Sequence, residues 1–482
     1  MALPFTAQAI ADKASKELGI KHTRCLAKAE LYLKTVQQEL VKQYCLAPSE
    51  RKTEQRLCFA MDTKPETLGK YKNPESEGPK QKYWWYWLVK NFPLYTPEKQ
   101  GNNIQGKLTM VHSHLSFAQA MDMNDAHLLE ALDITAPDTD SHDWVPIDAQ
   151  SLEAYVNWAM SKTSNSTLVN NMHTAELILR VSQAHGGYLP QKRKESVFGR
   201  LYYTGLNLQQ CHKSVREAAL GECVNVDIRS SVFAWKLSMM PNTEPYINTR
   251  EFLRPPAKKR ILRDLALVTW GNADPHSIKS IKQVLTAISF GARENTLGYW
   301  THNGEWCSGA ISSIIKSEDR KRALLQDPWM RDFLKEQNQI NSVISSTLKN
   351  ALSDGDIPQD IDSECRTAKG RLSMNKLMAW AYQQYERRVM QHITSAKVAG
   401  AAELLLWVHD GVYYRKSPDV ASMNSELQTI WSYGSVEAEE LTAWHYTTEQ
   451  ERRDTRMTEM SHKQRIAQEE ERAQARAINT LQ

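Results

Sequence analysis

Two apolar, β-prone runs each deliver one aspartate near their end: Val224-Asn225-Val226-Asp227-Ile228 and Leu404-Leu405-Leu406-Trp407-Val408-His409-Asp410-Gly411. Between them lies helical sequence in which Lys282 is followed eight residues later by Phe290-Gly291. A chain with this pattern must combine strands and helices, so the expected class is α+β. Two carboxylates presented from strand ends can hold a pair of divalent ions, and such a pair clamps the attacking and leaving oxygens of a phosphoryl transfer. A lysine and an aromatic on one helix face can grip a triphosphate and stack on a base.

The bulk composition sets only loose bounds. With 482 residues, 41% hydrophobic and 24% charged, the chain has material for two or three globular domains. A formal net charge of +4 permits a nucleic-acid partner without demanding one, because binding grooves depend on local charge. Seven scattered cysteines (Cys25, Cys45, Cys58, Cys211, Cys223, Cys307, Cys365) form no short-spaced pair and read as reduced thiols. No apolar run approaches the ~18 residues that span a bilayer, so no membrane partner is expected. The opening MALPFTAQAIADK reads as the start of a helix, not a signal peptide. The expected compartment is the cytoplasm of a bacterial cell or infected host.

Periodicity makes residues 1–60 helical, best in Lys28 to Tyr44, and polar residues 63–82 a Pro/Gly-rich loop. The aromatic cluster Tyr83-Trp84-Trp85-Tyr86-Trp87 reads first as a core or interdomain anchor, and second as a stacking platform for single-stranded nucleic acid. Residues 137–146 look turn-rich, so His142-Asp143 is expected in a loop, with Asp138, Asp140, Asp143 and Asp148 forming a solvated acidic patch. Helical patterns resume at 151–160 and 174–185, and Gly186-Gly187 ends them. Residues 250–300 are helical and basic (Arg254, Lys258, Lys259, Arg260, Arg263, Lys279, Lys282), and 371–395 form one long helical run. A hairpin pattern follows around His409-Asp410-Gly411, and from Thr447 the chain is charged and poor in large apolar residues.

Taken together, the motifs resemble the palm and fingers motifs of the family-A polymerases, which include bacterial DNA polymerase I and the phage-type single-subunit RNA polymerases. Asp227 resembles the first-motif metal ligand, with the Ile228 carbonyl as a further ligand, and His409-Asp410 the third-motif pair. Lys282 to Phe290-Gly291 resembles the second motif. Gly199 to Gln209 (GRLYYTGLNLQ) resembles the segment that contacts template and primer backbone, which implies nucleic-acid contacts for Arg200, Gln209 and His409. The likeness covers roughly residues 195–420.

The resemblance implies a right-hand polymerase with palm, fingers and thumb. Residues 1–190 would be a mainly helical N-terminal domain, thumb-like or accessory. Residues 191–245 would be the first palm part, 246–379 the fingers, 380–446 the second palm part, and 447–482 a charged helical or disordered tail. Asp227 and Asp410 would hold two Mg²⁺, with Mn²⁺ as an alternative. Lys282, Phe290, Gly291, Val232 and Lys279 would bind an NTP or dNTP. The partners would be a nucleic acid template and its primer or transcript, with a protein partner recruited through the N-terminal domain or the tail.

Three departures from the family pattern bear on substrate. Val232 stands where DNA-selecting members carry a glutamate that blocks a ribose 2′-hydroxyl. Phe290 replaces the usual tyrosine, and Ile278 the usual basic residue, for which Lys279 or His276 could substitute. The first leans towards ribonucleotides and a primase- or transcriptase-like activity, and no acidic constellation for proofreading stands in residues 1–190. The rival within the fold is an exonuclease-lacking DNA polymerase of a plasmid, phage or mobile element. A remoter rival is an HD-type phosphohydrolase built on His409-Asp410. Alone, Lys282 reads as a solvated helix residue and Arg200 as a surface ion pair.

Overall fold

The computed structural model describes residues 3–44, 56–59, 68–72, 81–99, 109–161, 166–292, 299–300, 306–307, 309–367, 370–400, 402–408 and 411–445. His409, Asp410 and the expected tail from 447 therefore lie outside the described residues. Helices and strands are mixed throughout. The chain divides into two compact units, one of Met1–Lys194, Tyr203–Glu222 and Leu441–Gln482, the other of Glu195–Tyr202 and Cys223–Glu440. Among the described residues no helix is long and apolar enough to cross a membrane.

In the first unit the helix Ala7–Leu18 starts on a Thr6 cap and ends at Gly19, and His22–Tyr44 packs against it. The helix Ser166–Ala184 stops where Gly186 and Gly187 take left-handed φ of 65° and 94°. Trp84 and Trp85 are buried, with Trp85 set edge-on to Tyr32 at 5.4 Å, so this half of the aromatic cluster is core. Tyr86 remains 62% exposed.

Three local expectations are corrected here. Arg56–Phe59 is a strand paired antiparallel with Thr109–Ser113, not helix. Lys70–Lys72 and Gln81–Tyr83 form a strand pair inside the stretch read as loop. His142–Pro146 is a strand paired with Tyr188–Glu195, so His142-Asp143 does not lie in a loop. Strand pairing depends on a partner distant in the chain, and that partner outweighs the turn propensity of Asp and Pro. The acidic patch divides accordingly. Asp138 and Asp140 are exposed, whereas Asp143 accepts the Tyr203 hydroxyl at 2.6 Å, and Asp148 caps the helix Ala149–Met160 by accepting the Ser151 N–H at 2.9 Å.

The second unit is built on a four-stranded sheet. Its strands are β1 (Cys223–Ile228), β2 (Leu404–Val408), β3 (Gly411–Tyr414) and β4 (Val436–Leu441), in the spatial order β2-β3-β1-β4. β1 runs antiparallel to β3, with Gly411 opposite Asp227 and Val412 opposite Val226. A turn after Ile228 leads into α1 (Ser231–Ser238), followed by α2 (Ile247–Leu253), α3 (Pro255–Trp270) and α4 (Pro275–Ser289). The long helices α5 (Pro328–Ser353) and α6 (Met374–Ile393) complete the scaffold that concerns the site.

The sequence explains α4 locally. Asp274 caps it by accepting the Ser277 N–H at 2.7 Å, and Pro275 fills the first turn, where its missing N–H costs nothing. Ser277, Ser280, Ile281, Val284, Leu285 and Ile288 are buried in one stripe at helical spacing. The opposite face carries Lys282 and Thr286. The helix ends at Phe290, where Gly291 takes φ +82° and a Cβ would come within 2.8 Å of the Asn375 Oδ1. This local geometry gives Gly291 a structural reason for being glycine.

Candidate active site

A cavity of about 470 Å³ opens in the second unit. That volume lies within the ordinary range for a small-molecule site. Asp227 and Ile228 reach it from the end of β1, and Ser230, Ser231, Val232 and Phe233 from the turn into α1. Lys282, Thr286 and Phe290 line it from one face of α4, each four residues after the last. Lys258 comes from α3, and Ala379, Tyr382 and Gln383 from α6. Arg200 completes the wall.

The turn between β1 and α1 is unusual. Ser230 has φ +50°, one of two non-glycine residues with positive φ among those described. A serine held there costs roughly 1–2 kcal/mol, so surrounding contacts must hold it. The Lys258 ammonium supplies one, donating to the Ser230 Oγ at 2.6 Å. Burial lowers the Lys258 pKa, and the Lys282 charge nearby lowers it further, while Glu437 and Asp227 pull the other way. The cavity therefore holds two neighbouring lysines and one carboxylate, an arrangement suited to a polyanionic ligand.

The wall behind them is a continuous polar chain. Arg200 makes a two-pronged pair with Glu386, Nε to Oε2 at 2.8 Å and Nη2 to Oε1 at 2.7 Å. The Tyr382 hydroxyl donates to Glu386 Oε1 at 2.6 Å, which leaves its oxygen to accept from the Ser231 hydroxyl at 2.7 Å. Glu386 is 1% exposed. Burial opposes the Arg200 charge, and the Glu386 carboxylate more than offsets this, holding the guanidinium protonated. Arg200 is thus ion-paired, but in a buried wall rather than at the surface.

The structure brings Asp227, Ile228, Val232, Lys282, Phe290 and Arg200 to this one cavity. Lys279 is exposed one turn N-terminal to Lys282 on α4 and does not line the cavity. Ile278 is apolar and half-buried, and a second lysine reaches the cavity from α3 as Lys258. Gln209 is buried in the first unit. His409 and Asp410 belong to the two-residue stretch between β2 and β3 and lie outside the described residues.

Sequence reading missed Ser230, Lys258, Tyr382 and Glu386 as members of the site. Tyr382 and Glu386 carried a usable signal, since four-residue spacing on a long helix places them on one face. Lys258 was one of several basic residues and had no local mark.

Asp227 and main-chain carbonyls such as that of Ile228 are hard oxygen donors of the kind magnesium takes, and such sites need few protein ligands when substrate phosphates supply the rest. The donor set fits Mg²⁺. Among the described residues no cluster of three or more His, Cys, Asp or Glu side chains forms a closed metal cage.

No family model matches the chain, and no curated protein matches it. Among solved structures, the POL domain of Pol1 from M. smegmatis, in complex with DNA primer-template and dNTP, aligns over 90% of this chain and 71% of that one. The identity is 13% and the TM-score 0.37, a superposition from which nothing about this chain follows.

Proposed function

We propose that the chain is a template-directed nucleotidyltransferase that extends nucleic acid 5′ to 3′, with the sheet as palm and α3 to α5 as fingers. The observation that carries this reading is the convergence of Asp227, Lys258, Lys282, Val232 and Phe290 on one cavity. A carboxylate at a strand end faces two cations and an aromatic on a helix, which is what a metal-bound triphosphate with an attached base requires. The pairing of Gly411 with Asp227 adds support, because Asp410 precedes Gly411 in the chain.

Asp227, Asp410 and the Ile228 carbonyl would hold Mg²⁺, which supplies activation of the attacking 3′-hydroxyl and charge neutralisation on the triphosphate. Lys282 and Lys258 bind the phosphates, and Lys282 is the donor for the leaving pyrophosphate. Phe290 stacks beside the nascent base pair, and its ring already packs against Tyr382 at 5.8 Å. Val232 faces the sugar without the carboxylate that would repel a 2′-hydroxyl, which favours ribonucleotides. Arg200 anchors the wall through Glu386 and directs its remaining donors to the nucleic-acid backbone.

The test is incorporation by the intact protein with each NTP and dNTP set, with and without a primed template. Template-dependent extension that Asp227→Asn abolishes supports the proposal. Folded protein that incorporates neither set would sink it, and stronger extension with deoxynucleotides would reverse the sugar preference while keeping the reaction.

A further inference from the structure

Lys236, on α1, is fully buried among the described residues of the second unit, and no carboxylate is bonded to its Nζ. Its ammonium donates to the main-chain carbonyl of Ser289, to Asn341 Oδ1 at 2.5 Å and to Gln337 Oε1 at 3.3 Å. Three acceptors meet the three N–H groups that only the protonated form has. Ser289 is the last residue of α4, where helix carbonyls lack partners and the dipole favours a cation.

The direction of these bonds is set from a distance. On α5, Glu336 accepts the N–H groups of Asn248 (2.9 Å) and Thr249 (2.8 Å) in the first turn of α2. It also accepts the Asn248 amide at 3.0 Å and the Thr249 hydroxyl at 2.8 Å. With its proton committed to Glu336, Thr249 Oγ1 can only accept, and it does so from Gln337 Nε2 at 2.9 Å. That fixes the Gln337 amide with Oε1 turned to Lys236. The charge on Glu336 thus reaches Lys236 through two neutral residues, each with one allowed orientation.

We infer that Lys236 is a positioning residue that ties the C-terminal turn of α4 to α1, the helix that directly follows the Asp227 strand, and so sets Phe290 and Lys282 relative to Asp227. The functional half of this inference rests on the nucleotidyl-transfer reading; the buried tie does not. Burial lowers the Lys236 pKa to about 7, so the third donor is lost across the neutral range. The groups facing it from α4 and α5 are neutral, and Glu336 is the one charged member of the network.

The sign of the pH effect on stability is separate from the effect on the turn. Between about 7 and the ordinary lysine value of 10.5, the unfolded chain binds the proton that the folded chain has lost. Global stability therefore rises with pH over that window. The hold on Ser289 weakens over the same rise.

The test combines amide hydrogen exchange with nucleotide kinetics on the full chain, comparing wild type, Lys236→Met and Thr249→Val. In Lys236→Met, protection at Phe290, Gly291 and Ala292 should fall about tenfold while Val284 and Leu285 change little, and the nucleotide KM should rise about tenfold with a smaller loss in kcat. Wild-type protection at those three amides, corrected for intrinsic exchange, should decline as pH passes 7, and the variant should show no such step. Thr249→Val keeps the lysine but frees Gln337, and it should give the same local pattern at a few-fold size; it carries the test if Lys236→Met does not fold. A folded Lys236→Met with unchanged protection at Phe290 to Ala292 overturns the inference, as does loss spread evenly over the unit. If the wild type transfers no nucleotide, the functional reading falls, and exchange alone decides whether the tie exists.

Discussion

Gly411 stands directly opposite Asp227 in the antiparallel pair of β3 and β1, and a Cβ at position 411 would lie 3.4 Å from Asp227 Oδ1. The end of the second apolar run, where β3 begins, is thereby held against the end of the first, although their positions in the chain are far apart. The carboxylate also shares its cavity with Lys258 and Lys282. Several measurable consequences follow from that arrangement.

Asp227→Asn keeps the shape of the side chain and removes its charge. Nucleotide incorporation should fall at least about 10³-fold, as when an element acting as part of a catalytic unit is lost. Thermal unfolding should be little changed, since the residue sits at a strand end facing the cavity. A comparable loss of folding would reassign Asp227 to structure.

Lys282→Ala and Lys258→Ala should each weaken nucleotide use, by about 10²-fold for a positioned charge on the reacting phosphates. They should differ in pH dependence. Lys258 has a lowered pKa, so in the free protein it loses its proton earlier on the alkaline side than an ordinary lysine. Binding of a polyanion raises that pKa and takes up the proton, so KM should climb with pH through the alkaline range. Lys258→Ala should flatten that climb, as read from KM measured across the range.

Val232→Glu introduces a carboxylate into the cavity at the proposed sugar position. Ribonucleotide use relative to deoxynucleotide use should drop about tenfold or more, roughly 1.4 kcal/mol. An unchanged ratio in paired incorporation assays would remove Val232 from sugar selection.

Glu386→Ala strands the partly buried Arg200 guanidinium without its partner. The loss should be about 3 kcal/mol, at the low end for breaking a buried pair. Urea unfolding would show it as a lower midpoint at unchanged slope. The double variant with Arg200→Met should recover part of the loss, because no buried charge is then left unpaired.

What the sequence determined by itself was local. The cap at Asp274, the stripe from Ser277 to Ile288 and the stop at Gly291 follow from neighbours within a few residues, as does the apolar strand that carries Asp227. Spacing alone likewise aligned Lys282 with Phe290 on one helix face. Tertiary structure decided the rest, because the partners are remote. Arg200 meets Glu386 across 186 residues, and Lys236 meets Asn341 across 105. His142–Pro146 becomes a strand only through Tyr188–Glu195. A buried charge is stable only where the fold supplies its acceptors, and no periodicity in the chain records which acceptors those will be.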